Sequence, residues 1–224
     1  MTRVDERVVG ELAARRRERM VARQLEARGI ADPRVLAAIR EVPRHSFVSP
    51  DQVELAYDDR ALPIARGQTI SQPYVVALML EALALGASDR VLEVGTGSGY
   101  AAALLSRLTR TVFAIELDPE LAERAKLRLA ALGCANVELR SGDGRLGWPE
   151  RAPFDAILVS AAAASVPPAL EAQLAPRGRM VLPIGGDAGQ SLVRVARIDG
   201  DRFERRELCE VQFVPLVGAT STSR

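Results

Sequence analysis

Residues 91–99 read VLEVGTGSG, an apolar run interrupted by Glu93 and followed by glycines at 95, 97 and 99. Alternating glycines directly after an acid let the backbone pass close to a ligand. At the carboxyl end of a strand, such a turn grips a nucleoside-bearing cofactor. The dinucleotide form requires G-x-G-x-x-G or a closing alanine. Counted from Gly95 the last position is Tyr100, which fails; counted from Gly97 it is Ala102, which passes. The motif alone thus accommodates NAD, S-adenosylmethionine or a bare glycine turn.

Two further acids narrow the choice. Glu116 closes TVFAIE in TVFAIELD (111–118), about twenty residues past the first glycine, where a carboxylate can accept both ribose hydroxyls. Asp143 and Gly144 end NVELRSGDG (136–144), in position to meet an adenine. Either acid alone reads as a solvated strand end; three at the ends of three successive strands read as a binding site. Glu93 interrupts an apolar strand and needs partners if buried, either a cofactor ammonium or amides of the glycine turn.

The elements that must carry these residues follow from the hydrophobic pattern. Gly99 opens a helix running through Ala101–Leu108, and Asp118 followed by Pro119 is a helix start with an N-cap and proline at the first position. FDAILVSA (154–161) is a fourth strand, nearly all apolar, as a strand covered on both faces should be. Strands alternating with helices through short links predict an α/β fold, a doubly wound, mostly parallel Rossmann-like sheet. Residues 1–60 read as a helical cap punctuated by Gly29 and Pro33, and 61–218 as the core. With 224 residues, 48% of them apolar, a single domain over 1–224 can bury its own core.

A formal charge of +1 argues against a nucleic-acid binder relying on phosphate neutralisation. Arg15, Arg16, Arg17 and Arg19 sit among Glu11, Glu18 and Glu26 in a helical stretch (5–28), the pattern of a solvated face. There is no apolar h-region near the N-terminus and no run of the roughly twenty apolar residues a membrane span needs, so a cytoplasmic protein, expected to be a monomer, is the reading. Cys134 and Cys209 lack metal-ligand spacing and read as free thiols, with no metal site. His45, the only histidine, lies in PRHSF away from any glycine-flanked serine and reads as structural; Trp148 reads as a packing anchor.

GQTISQPYVVALMLEAL (67–83) selects the chemistry. Ser71 or Gln72 can cap the helix that follows, with Pro73 in its first turn. One helix separates this loop from the glycine turn, so it can fold over a cofactor as a lid. Ser71 is then placed to hydrogen-bond a substrate oxygen beside a reactive methyl group.

These residues resemble the protein-L-isoaspartate (D-aspartate) O-methyltransferase family in its bacterial form, over roughly residues 18–217. The likeness rests on ERMVARQLEARGI (18–30), RVLAAIREVPRHSFV (34–48), GQTISQPYVVA (67–77), VLEVGTGSGY, SGDGRLGWPERAPFDAILVSAAA (141–163) and VQFVPLVG (211–218). VLEVGTGSG alone marks only the wider methyltransferase class; ISQP, GDGRLG and the terminal VPL are more specific. The resemblance implies methyl transfer from S-adenosylmethionine to the α-carboxyl of isoaspartyl, and to some extent D-aspartyl, residues in age-damaged proteins and peptides. The ester then cyclises to a succinimide whose hydrolysis partly restores aspartate. It further implies Ser71 as the essential serine, with Gln68, Thr69 and Ile70 in the same cofactor-facing loop. Glu93, Gly95, Thr96, Gly97 and Gly99 correspond to the turn at the methionine end, Glu116 and Leu117 to the ribose side, and Asp143 and Gly144 to the adenine side. Val214, Pro215 and Leu216 fall where substrate is met. Val217 stands where relatives often carry threonine, Ala164 where proline is common, and Arg177 replaces a glycine of the usual GGR. Residues 1–17 precede the family's usual start and have no assigned role.

The chemistry implied is consistent with a site lacking histidine. An α-carboxyl has a pKa of roughly 3.3–3.7, so the acceptor is already ionised and needs no general base. Positioning must do the work, and Ser71 reads as a positioner, not a nucleophile. A repair enzyme must accept many sequence contexts, so the terminal strand VQFVPL is expected to offer an edge to an extended peptide. The rival readings are a small-molecule methyltransferase, which shares the glycine turn but not ISQP or VPL, a module that binds S-adenosylmethionine without turnover, and an NAD oxidoreductase.

Overall fold

The computed structural model describes residues 3–186 and 188–218; the chain ends included in the expected 1–224 domain lie partly outside them. Helix α1 (Arg3–Met20) continues through a π turn at Val21–Leu25 and a 3₁₀ turn that stops at Gly29, held left-handed at φ 93°. Helix α2 (Pro33–Glu41) starts on Asp32, whose carboxylate accepts the Arg34 and Val35 amides. Two 3₁₀ turns, Arg44–Phe47 and Pro50–Leu55, complete the helical cap. A small antiparallel hairpin follows, with β1 (Leu62–Pro63) against β2 (Thr69–Ile70), and leads into α3 (Pro73–Leu83).

The main sheet begins with β3 (Arg90–Val94), α4 (Tyr100–Leu108), β4 (Thr111–Glu116), α5 (Pro119–Ala131), β5 (Val137–Ser141) and β6 (Phe154–Val159). Short α6 (Pro168–Ala172) leads to the long strands β7 (Leu174–Gly186), β8 (Gly189–Asp199) and β9 (Arg202–Val211). Strand order is β5-β4-β3-β6-β7-β8-β9, parallel from β5 to β7 and antiparallel beyond. The mostly parallel α/β sheet read from the sequence is therefore present, extended by an antiparallel edge.

Period-2 alternation divides the strands between two apolar layers. Val91, Val112, Ala114 and Leu158 pack with α3, α4 and the helical cap. Leu92, Val94, Phe113, Ile115 and Ile157 pack on the other face with Trp148 and Leu170. That second face is covered by 3₁₀ turns and α6 instead of long helices. Trp148 is 6% exposed and edge-on to Phe113, the packing anchor read from the sequence.

The order reverses between β3 and its neighbours β4 and β6, so their carboxyl ends open a crevice. Among the described residues, no helix is long and apolar enough to cross a membrane, and no cluster of three or more His, Cys, Asp or Glu could hold a metal. Both cysteines are free.

Candidate active site

A cavity of ≈ 570 Å³ fills that crevice, within the roughly 300–1,000 Å³ common for small-molecule sites. Its walls come from the turn after β3 (Gly95, Gly97), the end of β4 (Ile115, Glu116, Leu117), Gly144, and the hairpin's Arg66, Gln68 and Thr69. Val214, Pro215 and Leu216 border it from the terminal segment. A smaller chamber of ≈ 40 Å³ adjoins it, sharing Thr69, Gly95, Gly97 and Ser160 and lined also by Ile70, Ser71, Glu93, Thr96 and Tyr100.

Gly95 (φ 82°) and Gly97 (φ 54°) both lie in the left-handed region, which lets the turn reverse directly after the strand. The Gly95 and Thr96 amides donate to the Ile115 carbonyl at 2.9 and 3.3 Å. The Gly97 amide donates to Glu116 Oε2 at 2.7 Å, and Glu116 Oε1 accepts the Asp118 amide at 3.0 Å. Each Glu116 oxygen thus retains a lone pair toward the cavity while the backbone holds it in place.

Of the two partners expected for Glu93, a cofactor ammonium or glycine-turn amides, the Gly95, Thr96 and Gly97 amides are spent on Ile115 and Glu116. Its side chain is fully buried and neither carboxylate oxygen has a hydrogen-bond partner. Burial pushes its carboxyl up to about 8. The Thr96 hydroxyl, which would oppose that rise, donates to the Ile115 carbonyl at 3.3 Å. A buried carboxylate without a partner is costly, so Glu93 either keeps its proton or ionises against a cation in the small chamber. The ammonium of a methionyl group is such a cation, and the glycine turn, Glu116 and the adjoining cavity suit the nucleoside. The residues present therefore fit S-adenosylmethionine.

Ser71 lines the small chamber, and its hydroxyl has no hydrogen-bond partner among the described residues. Neither expected cap forms. Gln72 occupies the N-cap position of α3 without a side-chain bond, and its amide donates to the Asp59 carbonyl at 3.1 Å. The β1–β2 hairpin walls the larger cavity and is tied to the start of α5 by Arg66 Nε to Asp118 Oδ2 at 2.8 Å. Asp118 also caps α5 through the Glu120 and Leu121 amides.

The terminal segment reaches the cavity along the stretch that follows β6. The Ala162 amide donates to the Val214 carbonyl at 2.8 Å and the Leu216 amide to the Ala162 carbonyl at 2.7 Å. Pro215 sits between these bonds and has no amide to offer outward.

Two predicted cofactor residues stand apart from both cavities. Gly99 (φ 92°) precedes α4, and a Cβ there would meet Ala125 at 3.3 Å, so this glycine serves helix packing. The Asp143 carboxylate pairs with Arg145 at 2.8 Å and caps the 3₁₀ turn through the Arg145 amide. What this turn presents to the cavity is Gly144, where a Cβ would fall 2.4 Å from Val94 Cγ1. His45 lies outside the site, with Nδ1 at 2.6 Å from Tyr57 Oη.

Sequence reasoning missed Val94, Ile115, Ser160 and Ala161 as lining residues. The rule that ligands meet strand carboxyl ends would have found all four. Arg66 carried no signal, since its partner Asp118 lies 52 residues away and its left-handed backbone (φ 63°) falls at a non-glycine position.

Residues 15–221 match the family model for protein-L-isoaspartate(D-aspartate) O-methyltransferase (PCMT). Protein-L-isoaspartate O-methyltransferase 2 of Pelobacter propionicus is 58% identical over 205 residues, 91% of each chain. Protein-L-isoaspartate O-methyltransferase of Methylorubrum extorquens is 59% identical over 210 residues, 94% of this chain and 92% of its own. A solved protein-L-isoaspartate O-methyltransferase superposes with a TM-score of 0.82 at 30% identity, over 90% of this chain; the match spans 66% of that protein's length. A Plasmodium falciparum protein-L-isoaspartate O-methyltransferase, solved in complex with S-adenosyl-L-homocysteine, matches 90% of this chain and 98% of its own with a TM-score of 0.78 and 26% identity. The chain belongs to the protein-L-isoaspartate (D-aspartate) O-methyltransferase family.

Proposed function

We propose that this protein methylates the α-carboxyl of L-isoaspartyl residues, and to some extent D-aspartyl residues, in age-damaged proteins, using S-adenosylmethionine. The observation that carries the reading is that the free Ser71 hydroxyl and the orphaned Glu93 carboxylate line one chamber. Bound there, S-adenosylmethionine supplies an electrophilic methyl group on a sulfonium.

Each role falls to this chain's own groups. Glu93 receives the ammonium, and the backbone of Gly95, Thr96 and Gly97 follows the methionyl end. Glu116 accepts the ribose hydroxyls beside Leu117, while Gly144 borders the adenine. Gln68, Thr69 and Ile70 cover the cofactor from the hairpin. Ser71 donates from its hydroxyl to the acceptor carboxylate and holds one oxygen in line with the methyl group. Such alignment is worth up to roughly 7–11 kcal/mol in well-oriented systems. Attack neutralises both charges, so a neutral hydroxyl is better suited than an arginine, which would stabilise the ground-state carboxylate. Val214, Pro215 and Leu216 border the entry for substrate. Pro215 can accept but not donate toward an extended peptide, which supports recognition by backbone contacts. The enzyme acts as a cytoplasmic monomer on protein substrates, not on nucleic acid or membranes; the near-neutral formal charge of +1 supports the exclusion of nucleic acid.

Repair itself is the test. An isoaspartyl peptide incubated with the enzyme and S-adenosylmethionine should convert progressively to the aspartyl form, resolved by chromatography. Absence of conversion while S-adenosylhomocysteine still binds would favour a small-molecule methyltransferase.

A further inference from the structure

Arg44 is among the most deeply buried side chains in the protein, with 0% exposure, although it carries a charge. Among the described residues it makes no ion pair; Tyr100 and Tyr57 are the groups that offset its burial. Its guanidinium reaches three separate segments instead. Nε donates to the Ala56 carbonyl at 2.8 Å, and Nη2 donates to the Ser71 carbonyl at 2.7 Å. The guanidinium carbon lies 4.9 Å from the centre of the Tyr100 ring, and Tyr100 lines the same chamber as Ser71.

The Ser71 carbonyl needs this donor for a reason set by the chain. The first helical bond of α3 runs from the Val76 amide to the Gln72 carbonyl, so Ser71 lies one residue outside the helix. Pro73 holds Gln72 extended (φ −52°, ψ 135°), which turns the Ser71 carbonyl away from the helix. Its direction is then set by whatever donor meets it, and only arginine offers several donors in a rigid fork. We infer that Arg44 is a positioning residue for methyl transfer: by holding the Ser71 carbonyl, it fixes the orientation of the Ser71 hydroxyl over the acceptor carboxylate.

This inference rests on the role proposed for Ser71, and a double-mutant cycle separates the two. Arg44→Lys keeps a charge and a donor but loses the fork; Arg44→Gln keeps a donor, removes the buried charge and serves if the lysine variant does not fold. Either should lower kcat toward an isoaspartyl peptide by roughly 100-fold, the scale of a small misplacement of a reacting group, with affinity for S-adenosylhomocysteine largely unchanged. In a Ser71→Ala background the same substitution should lower kcat no further, because the hydroxyl it orients is gone. An equal loss in both backgrounds, or no loss in either, would overturn the positioning role. If Ser71→Ala alone leaves kcat intact, the reading of Ser71 itself fails.

Discussion

Glu116 and Gly97 meet at 2.7 Å, the carboxylate of one strand's end holding the amide at the heart of the preceding strand's turn. The residue assigned to the ribose therefore also shapes the loop at the methionyl end. Glu116→Gln must turn an amide N–H toward one of the two backbone amides now accepted by the carboxylate. Such a lost partner costs about 1–3 kcal/mol. Chemical denaturation should register that loss, and calorimetry should show weakened S-adenosylhomocysteine binding. Unchanged values in both would detach Glu116 from the turn.

Ser71 is the residue proposed to hold the acceptor carboxylate. Ser71→Ala should lower kcat by about 100-fold or more while leaving S-adenosylhomocysteine affinity close to wild type. Steady-state kinetics with titration calorimetry separates the two quantities. A parallel loss of both would show that Ser71 supports the cofactor, not the acceptor.

Glu93 makes the ligand-free protein sensitive to pH. Unfolded, it titrates near 4.5; folded, burial holds its carboxyl up to about 8. The folded state keeps the extra proton between these values, so stability falls as pH rises from about 4.5 toward 8. Glu93→Gln should flatten this slope in denaturant titrations. Below pH 8, cofactor binding should release a proton as Glu93 ionises against the ammonium. Calorimetry in buffers of different ionisation enthalpy measures that release, which Glu93→Gln should abolish. An unaltered proton count would remove Glu93 from the ammonium contact.

Arg177 is exposed and sits in the left-handed region at φ 63°. A non-glycine residue there costs roughly 1–2 kcal/mol, partly offset by the entropy that glycine loses on folding. Arg177→Gly should therefore stabilise the protein by up to about 1 kcal/mol, read as a rise in Tm. A fall in Tm would mean that the arginine side chain contributes more than its backbone costs.

Much of this site was legible because strand ends announce themselves in sequence. Glycines 95 and 97 and Glu116 close apolar runs, Gly144 closes a mixed strand and its SGDG turn, and the structure gathers them at one cavity. The pairing of their hydrogen bonds was not legible. Amides expected to serve Glu93 serve Ile115 and Glu116, because three-dimensional register, not chain order, decides which carbonyl or carboxylate lies opposite. Ser71 and Gln72 look like caps in one dimension, yet the helix starts on Pro73 without one. Arg44 was passed over in PRHSF because its partners lie 12 and 27 residues away.

The central claim is selectivity for the rearranged residue. Labelled S-adenosylmethionine should be offered with two synthetic peptides identical except for isoaspartate or aspartate at one position. Base-labile methyl incorporation into the isoaspartyl peptide alone is the predicted result. Equal incorporation into both, or none into either while S-adenosylhomocysteine binds, would contradict it.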